Sequence, residues 1–157
     1  MFNLNDVGVR GGNFCLSKAG LCIGTSTDGA RTNAPNGAGT DFVIDGVIYH
    51  LADADNNVDF TAATQTALYT NVYLVTIQTD NTITVTAGTE ILTADLVAGR
   101  NQLHWPTVPA GECVLGAIVV DAISGSFVAG TDDLSDTNTV TVEYIDLFSV
   151  PVQPIRS

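Results

Sequence analysis

Val72-Tyr73-Leu74-Val75-Thr76-Ile77-Gln78-Thr79-Asp80-Asn81-Thr82-Ile83-Thr84-Val85-Thr86-Ala87 is the stretch that decides the fold class. It consists of two β-branched runs around a polar break containing Asp and Asn, the composition of strand, turn and strand. Register selects the loop. If Asp80 and Asn81 alone formed it, Gln78 would face Ile83 and Thr76 would face Val85, mixing polar and apolar side chains on each face. The three-residue loop Thr79-Asp80-Asn81 instead pairs Ile77 with Ile83 and Val75 with Val85 on one side, and Thr76 with Thr84 on the other. Side chains alternate with period two, so the odd loop is the one that keeps a single apolar face. That face is expected in the core, and the threonine face in solvent or against a lightly polar neighbour.

The same texture extends in both directions from this hairpin. Phe42-Val43-Ile44 and Val47-Ile48-Tyr49-His50-Leu51 flank Asp45-Gly46, a strong signal for a second hairpin. Val114-Leu115-Gly116-Ala117-Ile118-Val119-Val120 is nearly continuous in apolar residues and reads as a central strand covered on both faces. Val140, Val142 and Tyr144 alternate with Thr139, Thr141 and Glu143 in a closing strand. Phe60 to Leu68 has the most helical character, but its threonines favour a turn or strand edge. The expected fold is all-β, an antiparallel β-sandwich or jelly-roll-like domain over residues 41–150.

Residues 1–40 read differently. Eight of the fifteen glycines fall there among Asn, Thr, Ser and Ala, and Thr25 to Thr40 has no hydrophobic periodicity. An irregular, extended N-terminal arm is expected, with one short strand near Phe14 to Ile23, disordered alone or pinned by a neighbouring subunit. Residues 151–157 are expected to be an extended tail, because Pro151 and Pro154 lack ladder donors.

The chain of 157 residues is 45% apolar and 14% charged. That apolar fraction can fill one core, while the charged fraction is well below the quarter or so of an ordinary domain. The polar surface therefore leans on neutral Thr, Asn, Ser and Gln, which cost little to desolvate at contacts. A net charge of −12 repels phosphate backbones and anionic lipid, so neither nucleic acid nor membrane is an expected partner. The N-terminus lacks the basic start and apolar core of a secretory signal, which implies synthesis in a cytoplasm. Three cysteines, Cys15, Cys22 and Cys113, do not make a disulfide framework. Cys15 and Cys22 could meet across a turn around Gly20, but free, small apolar side chains are the expected state.

Candidate chemistry is sparse. Asp53, Asp55, Asn57 and Asp59 crowd one loop with oxygen ligands of the kind calcium takes. The stretch departs from an EF-hand loop at Val58, where Gly is needed, and at Thr64, where the bidentate Glu belongs. A solvated turn whose side chains bond their own backbone is the competing reading, and it applies equally to Asp132, Asp133 and Asp136. His50 and His104 sit in apolar contexts without a ligand or carboxylate at useful spacing. Gly125-Ser126-Phe127 is not a nucleophile elbow. No catalytic residue and no cofactor is expected. Trp105, Tyr49 and Tyr73 are candidates for a sugar-stacking platform, against a structural role in the core.

Pro106-Thr107-Val108-Pro109-Ala110-Gly111, then Leu115-Gly116-Ala117-Ile118-Val119-Val120, then Phe127-Val128-Ala129-Gly130-Thr131 resembles a segment of tailed-phage structural proteins. In those proteins a Pro-x-x-Pro-Ala-Gly turn feeds a Leu-Gly-aliphatic strand, and a Phe-x-x-Gly-Thr turn follows. Asp45-Gly46-Val47-Ile48-Tyr49 looks like the opening hairpin of the same kind of domain. The resemblance covers about a third of the chain and implies a capsid decoration or head-fibre-type β-domain that transfers no catalytic residue. On it rests the expectation of a non-enzymatic virion structural protein at the particle surface. Such a protein would be an acidic homotrimer that contacts capsid or other virion proteins and stabilises the phage head. The alternative expectation is a fibre, tail or surface module that binds carbohydrate or a receptor, and a hydrolase with a triad built across loops is a more distant third.

Overall fold

The structure, a computed structural model, describes residues 12–151. Seven strands come first: β1 (Phe14–Cys15), β2 (Leu21–Ile23), β3 (Ala30–Thr32), β4 (Thr40–Ile44), β5 (Val47–Leu51), β6 (Ala54–Val58) and β7 (Thr64–Gln65). Then follow β8 (Tyr69–Ile77), β9 (Ile83–Ala87), β10 (Ile91–Leu92), the single turn of helix α1 (Thr93–Val97), β11 (Cys113–Ala122), β12 (Phe127–Val128) and β13 (Val140–Asp146). All the strand pairings are antiparallel, and the sheets pack on one another in an all-β, sandwich-like fold. No helix of the described residues is long and apolar enough to cross a membrane.

The hairpin β8–β9 has the register its alternation demands, with Val75 opposite Val85, Thr76 opposite Thr84 and Ile77 opposite Ile83. Its loop closes through the Asn81 amide on the Gln78 carbonyl at 3.1 Å and the Gln78 amide on the Thr82 carbonyl at 3.0 Å. Asn81 takes the left-handed conformation, φ 66°, that a three-residue hairpin loop needs at its last position and that Asn tolerates. The threonine side is not in solvent at Thr76: this residue is buried, and its hydroxyl donates to the Glu112 carboxylate. The Asp45-Gly46 turn also forms as expected, with φ of 51° and 79° joining β4 to β5.

β11 lies between β8 and β13 at the centre of the largest sheet, and its side chains enter two separate cores. Tyr73, Val75 and Ile77 of β8 and Leu115, Ile118 and Val120 of β11 fill the first. Val72 and Leu74 with Val114, Ala117 and Val119 fill the second. The inward parity of β11 thus switches from odd to even between Leu115 and Ile118. A β-bulge is the cause: Val114 faces Thr76 and Gly116 faces Val75, so Leu115 is the extra residue and the pleat changes phase there.

Two smaller sheets, β1–β4–β5 and β2–β3–β6, cover the first core with Cys15, Leu21, Ala30, Phe42, Ile44, Leu51 and Val58. An irregular layer covers the second, where Leu96 of α1, Leu103, Trp105 and Val108 are packed. Phe60–Leu68 contains the short β7 and a turn, as its threonines suggested. The only helical turn among the described residues is instead at Thr93–Val97, with no side-chain cap at Leu92 and one buried residue, Leu96.

The glycine-rich lead-in is irregular over much of its length, but over residues 12–40 it is packed rather than extended as an arm. Ala19 and Ala30 are fully buried, and three short strands pair there. The physical reason lies in β6. Asp53 accepts the Ala34 amide at 2.7 Å, Asp55 that of Thr25 at 3.1 Å, Asn56 that of Ser26 at 2.9 Å and Asn57 that of Thr32 at 2.9 Å. Polar side chains of residues 53–57 thus order the backbone of residues 25–34, where hydrophobic periodicity is lacking. Residues 1–11 of the expected arm and 152–157 of the expected tail lie outside the described residues.

Asn57 carries the best-shielded of these latches, since its Nδ2 also donates to Thr32 Oγ1 at 2.8 Å. Asn57→Ala is expected to lower the unfolding free energy by about 1–3 kcal/mol by stranding a partly buried amide and hydroxyl. Asp55→Ala, at an exposed site, should leave it nearly unchanged. Denaturant titration of the two variants checks the contrast, and equal losses would refute it.

Candidate functional site

The β1–β4–β5 sheet has one face in the core and one outside. Directly opposed residues share a face, so Cys15, Phe42 and Tyr49 form one row and Phe14, Val43 and Ile48 the other. The first row is inward: Cys15 and Phe42 are buried, Tyr49 packs against them, and the Phe42 and Tyr49 rings stack at 5.6 Å. In the outward row Val43 is covered, while Phe14 is 37% and Ile48 67% exposed. Leu16, whose amide bonds the Asp41 carbonyl, extends the strip and is 47% exposed. Asp41 and His50 close its end, with His50 Nδ1 2.7 Å from Asp41 Oδ1. The outer face is therefore an apolar strip bounded by an ionisable pair.

His50 has the carboxylate neighbour that sequence spacing hid, because Asp41 lies directly across the hairpin. The pair is exposed on both sides, and the nearest serine in its network, Ser17, bonds the Asp41 amide through Oγ. His104 is in another layer, beside Trp105.

The calcium candidates do not converge. Asp55 and Asn57 belong to strand β6, with Asp53 and Asp59 flanking it, and the strand is irregular there, with Asn56 between them at φ 52°. Asp53, Asp55 and Asn57 each accept a different backbone amide, those of Ala34, Thr25 and Thr32, instead of closing on one ion. Among the described residues, no group of three or more His, Cys, Asp or Glu is placed to hold a metal. The turn reading is amended too, because Asp53, Asp55 and Asn57 reach across to the backbone of the 25–34 segment. The second acidic loop does bond locally: Asp133 accepts the Ser135 amide and hydroxyl at 2.7 and 2.6 Å. Asp136 accepts the Thr139 hydroxyl at 2.6 Å. Hydrogen bonds from Ser135 and Thr139 hold the Asp133 and Asp136 carboxyls below their ordinary pKa.

Tyr49, Tyr73 and Trp105 do not form one platform. Tyr73 is 1% exposed in the first core, where its hydroxyl donates to Gln65 Oε1 at 3.1 Å and burial pushes its pKa up to about 12. Tyr49 belongs to the same core. Trp105 lies on the opposite side of the main sheet, packed on the second core, and lines a groove of about 580 Å³ between residues 86–91 and 102–107.

The cysteines are free, and their arrangement differs from the turn pairing considered for Cys15 and Cys22. Cys15 Sγ is 3.8 Å from Cys113 Sγ and donates to the Val114 carbonyl at 3.0 Å. That contact and burial raise the Cys15 thiol well above its ordinary pKa. Cys22 instead accepts from Arg31 Nε at 3.4 Å.

Sequence reading missed the apolar strip and most of the groove. For the strip a signal existed: Phe42-Val43-Ile44 and Val47-Ile48-Tyr49 are apolar on both faces of a hairpin that can turn only one face to the core. The groove gave none beyond Trp105, because Thr86, Thr89 and Gln102 come together only in the folded chain. The chain matches no family model, no curated protein and no solved structure. Its class is given by the fold itself, all-β and sandwich-like, and its described residues include an apolar outer strip and a mixed groove.

Proposed function

We propose that this chain is a virion structural protein, a capsid decoration protein that assembles as a homotrimer and stabilises the head surface by binding neighbouring capsid subunits. The observation that carries the reading is the outer strip of Phe14, Leu16 and Ile48. Single exposed apolar residues are normal, but a contiguous row with a polar boundary is the anatomy of a protein contact. The low charge of the surface supports it, since 14% charged residues leave few ions to strip of water when subunits meet. With a net charge of −12, the contact must rest on apolar and neutral polar groups, and added salt should strengthen rather than weaken it.

The test is the solution mass of the isolated protein, followed by co-sedimentation with capsids assembled without it. A trimer that sediments with the capsids is expected. Ile48→Asp, which places a charge at the most exposed position of the strip while leaving the β4–β5 ladder intact, should weaken association at least about tenfold. A monomer that sediments with no capsid would end the proposal.

A further inference from the structure

The groove beside Trp105 faces away from the strip, across the main sheet, and nothing in the assembly reading uses it. Its lining has two halves. Trp105, Ile91 and Pro106 supply an apolar wall, while Thr86, Thr89 and Thr107 supply hydroxyls and Gln102 and His104 an amide and an imidazole. No Asp, Glu, Lys or Arg is among the lining residues, although the chain carries 22 such side chains, 17 acidic and 5 basic. Volume, about 580 Å³, lies inside the range of small-ligand sites. The groove is also held in shape: the Gly88 amide bonds the Val72 carbonyl at 2.7 Å, and a Cβ at Gly88 would come within 2.8 Å of Val72 Cγ1. Trp105 packs against the second core.

We infer that this groove binds a neutral saccharide, with a pyranose ring stacked on Trp105. A pyranose is itself two-sided. Its C–H face carries small positive partial charges that suit the electron-rich face of an indole. Its hydroxyl rim needs neutral donors and acceptors, which the threonines, Gln102 and His104 provide. An anionic sugar is disfavoured twice, by a lining without Lys or Arg and by the charge of −12 on the chain. A purely apolar ligand would strand the hydroxyls and amide that face it.

Trp105 is the single tryptophan of the chain, so its fluorescence reports the site directly. The probes are maltose, cellobiose, lactose and N,N′-diacetylchitobiose, with sialyllactose as the anionic counterpart of lactose. At least one neutral disaccharide should shift the emission saturably. Calorimetry of that sugar should show binding weakened roughly tenfold or more by Gln102→Ala and by Trp105→Phe, with the circular dichroism of both variants unchanged. Ile48→Asp should bind it as the parent does. The inference is overturned if no neutral sugar gives a saturable change, if sialyllactose binds more tightly than lactose, or if binding survives both groove substitutions. Should either groove variant lose the β-spectrum, Thr89→Ala, at an exposed position, replaces it under the same criterion.

Discussion

Gly116→Val is expected to abolish folding, or to leave a protein at least about 4 kcal/mol less stable, in the range that single substitutions reach only by a gross steric or polar fault. The bulge in β11 is the reason. Leu115 and Gly116 both oppose Val75 on the side of the first core, and only one of them can place a side chain there. Leu115 fills the position, and the Cδ1 of Leu21 occupies the space that Gly116 leaves. A Cβ at residue 116 would stand 2.5 Å from that atom and 2.3 Å from the Ile145 carbonyl. Leu21 could turn away, but the carbonyl belongs to β13, the partner strand of β11, and cannot move without breaking the ladder. Gly116→Ala should therefore cost nearly as much as Gly116→Val, because the fault lies at Cβ. Soluble yield and thermal unfolding of the two variants check this. A stable Gly116→Ala protein would show that the bulge is placed elsewhere.

That bulge also marks the limit of what residue patterns disclose. In the 72–87 hairpin strict alternation left one acceptable register, and the folded pairing is that register. The run Val114 to Val120 was legible as a doubly covered strand but not in phase, because apolar residues at every position give no parity to read. The lead-in failed for the opposite reason. Its order comes from Asp and Asn side chains of β6, which sit some 19 to 30 residues away along the chain and have no periodicity. Taken alone, Asp53 to Asp59 therefore resembled an ion site, and Thr25 to Thr40 resembled a free arm. Each is the other's hydrogen-bonding partner. Trp105 stood out by its type, but the groove around it also needs Thr86 and Ala87 of β9, which no local pattern places beside it.

The two proposed surfaces make separable demands on the fold. The strip belongs to a small sheet that lies over the first core, while the groove is built on the irregular layer over the second. The central strands β8 and β11 of the main sheet between them are buried on both sides and back each surface. In the proposed coat role this arrangement would let one contact be lost without the other.

Gln65→Leu is the second substitution expected to have a large effect, and it tests whether the first core tolerates losing its polar centre. Gln65 is 1% exposed. Its Nε2 donates to the Tyr69 carbonyl at 2.7 Å and to the Val120 carbonyl at 2.8 Å, and its Oε1 accepts the Tyr73 hydroxyl at 3.1 Å. Leucine fills similar space but leaves two carbonyls and a hydroxyl without that partner. Stranding buried groups costs about 1–3 kcal/mol each before relaxation, so a loss of roughly 3–5 kcal/mol is expected. Tyr73→Phe alone should cost about 1 kcal/mol, as it removes one hydrogen bond and strands only one acceptor. In the double variant Gln65→Leu/Tyr73→Phe the hydroxyl is no longer present to be stranded. It should therefore be about as stable as Gln65→Leu, or more so, and less destabilised than the sum of the single changes. Urea unfolding of the four proteins measures this coupling directly. Strict additivity would mean that the Tyr73 hydroxyl does not depend on Gln65, and that the network linking β7, β8 and β11 is held by the two carbonyl bonds alone.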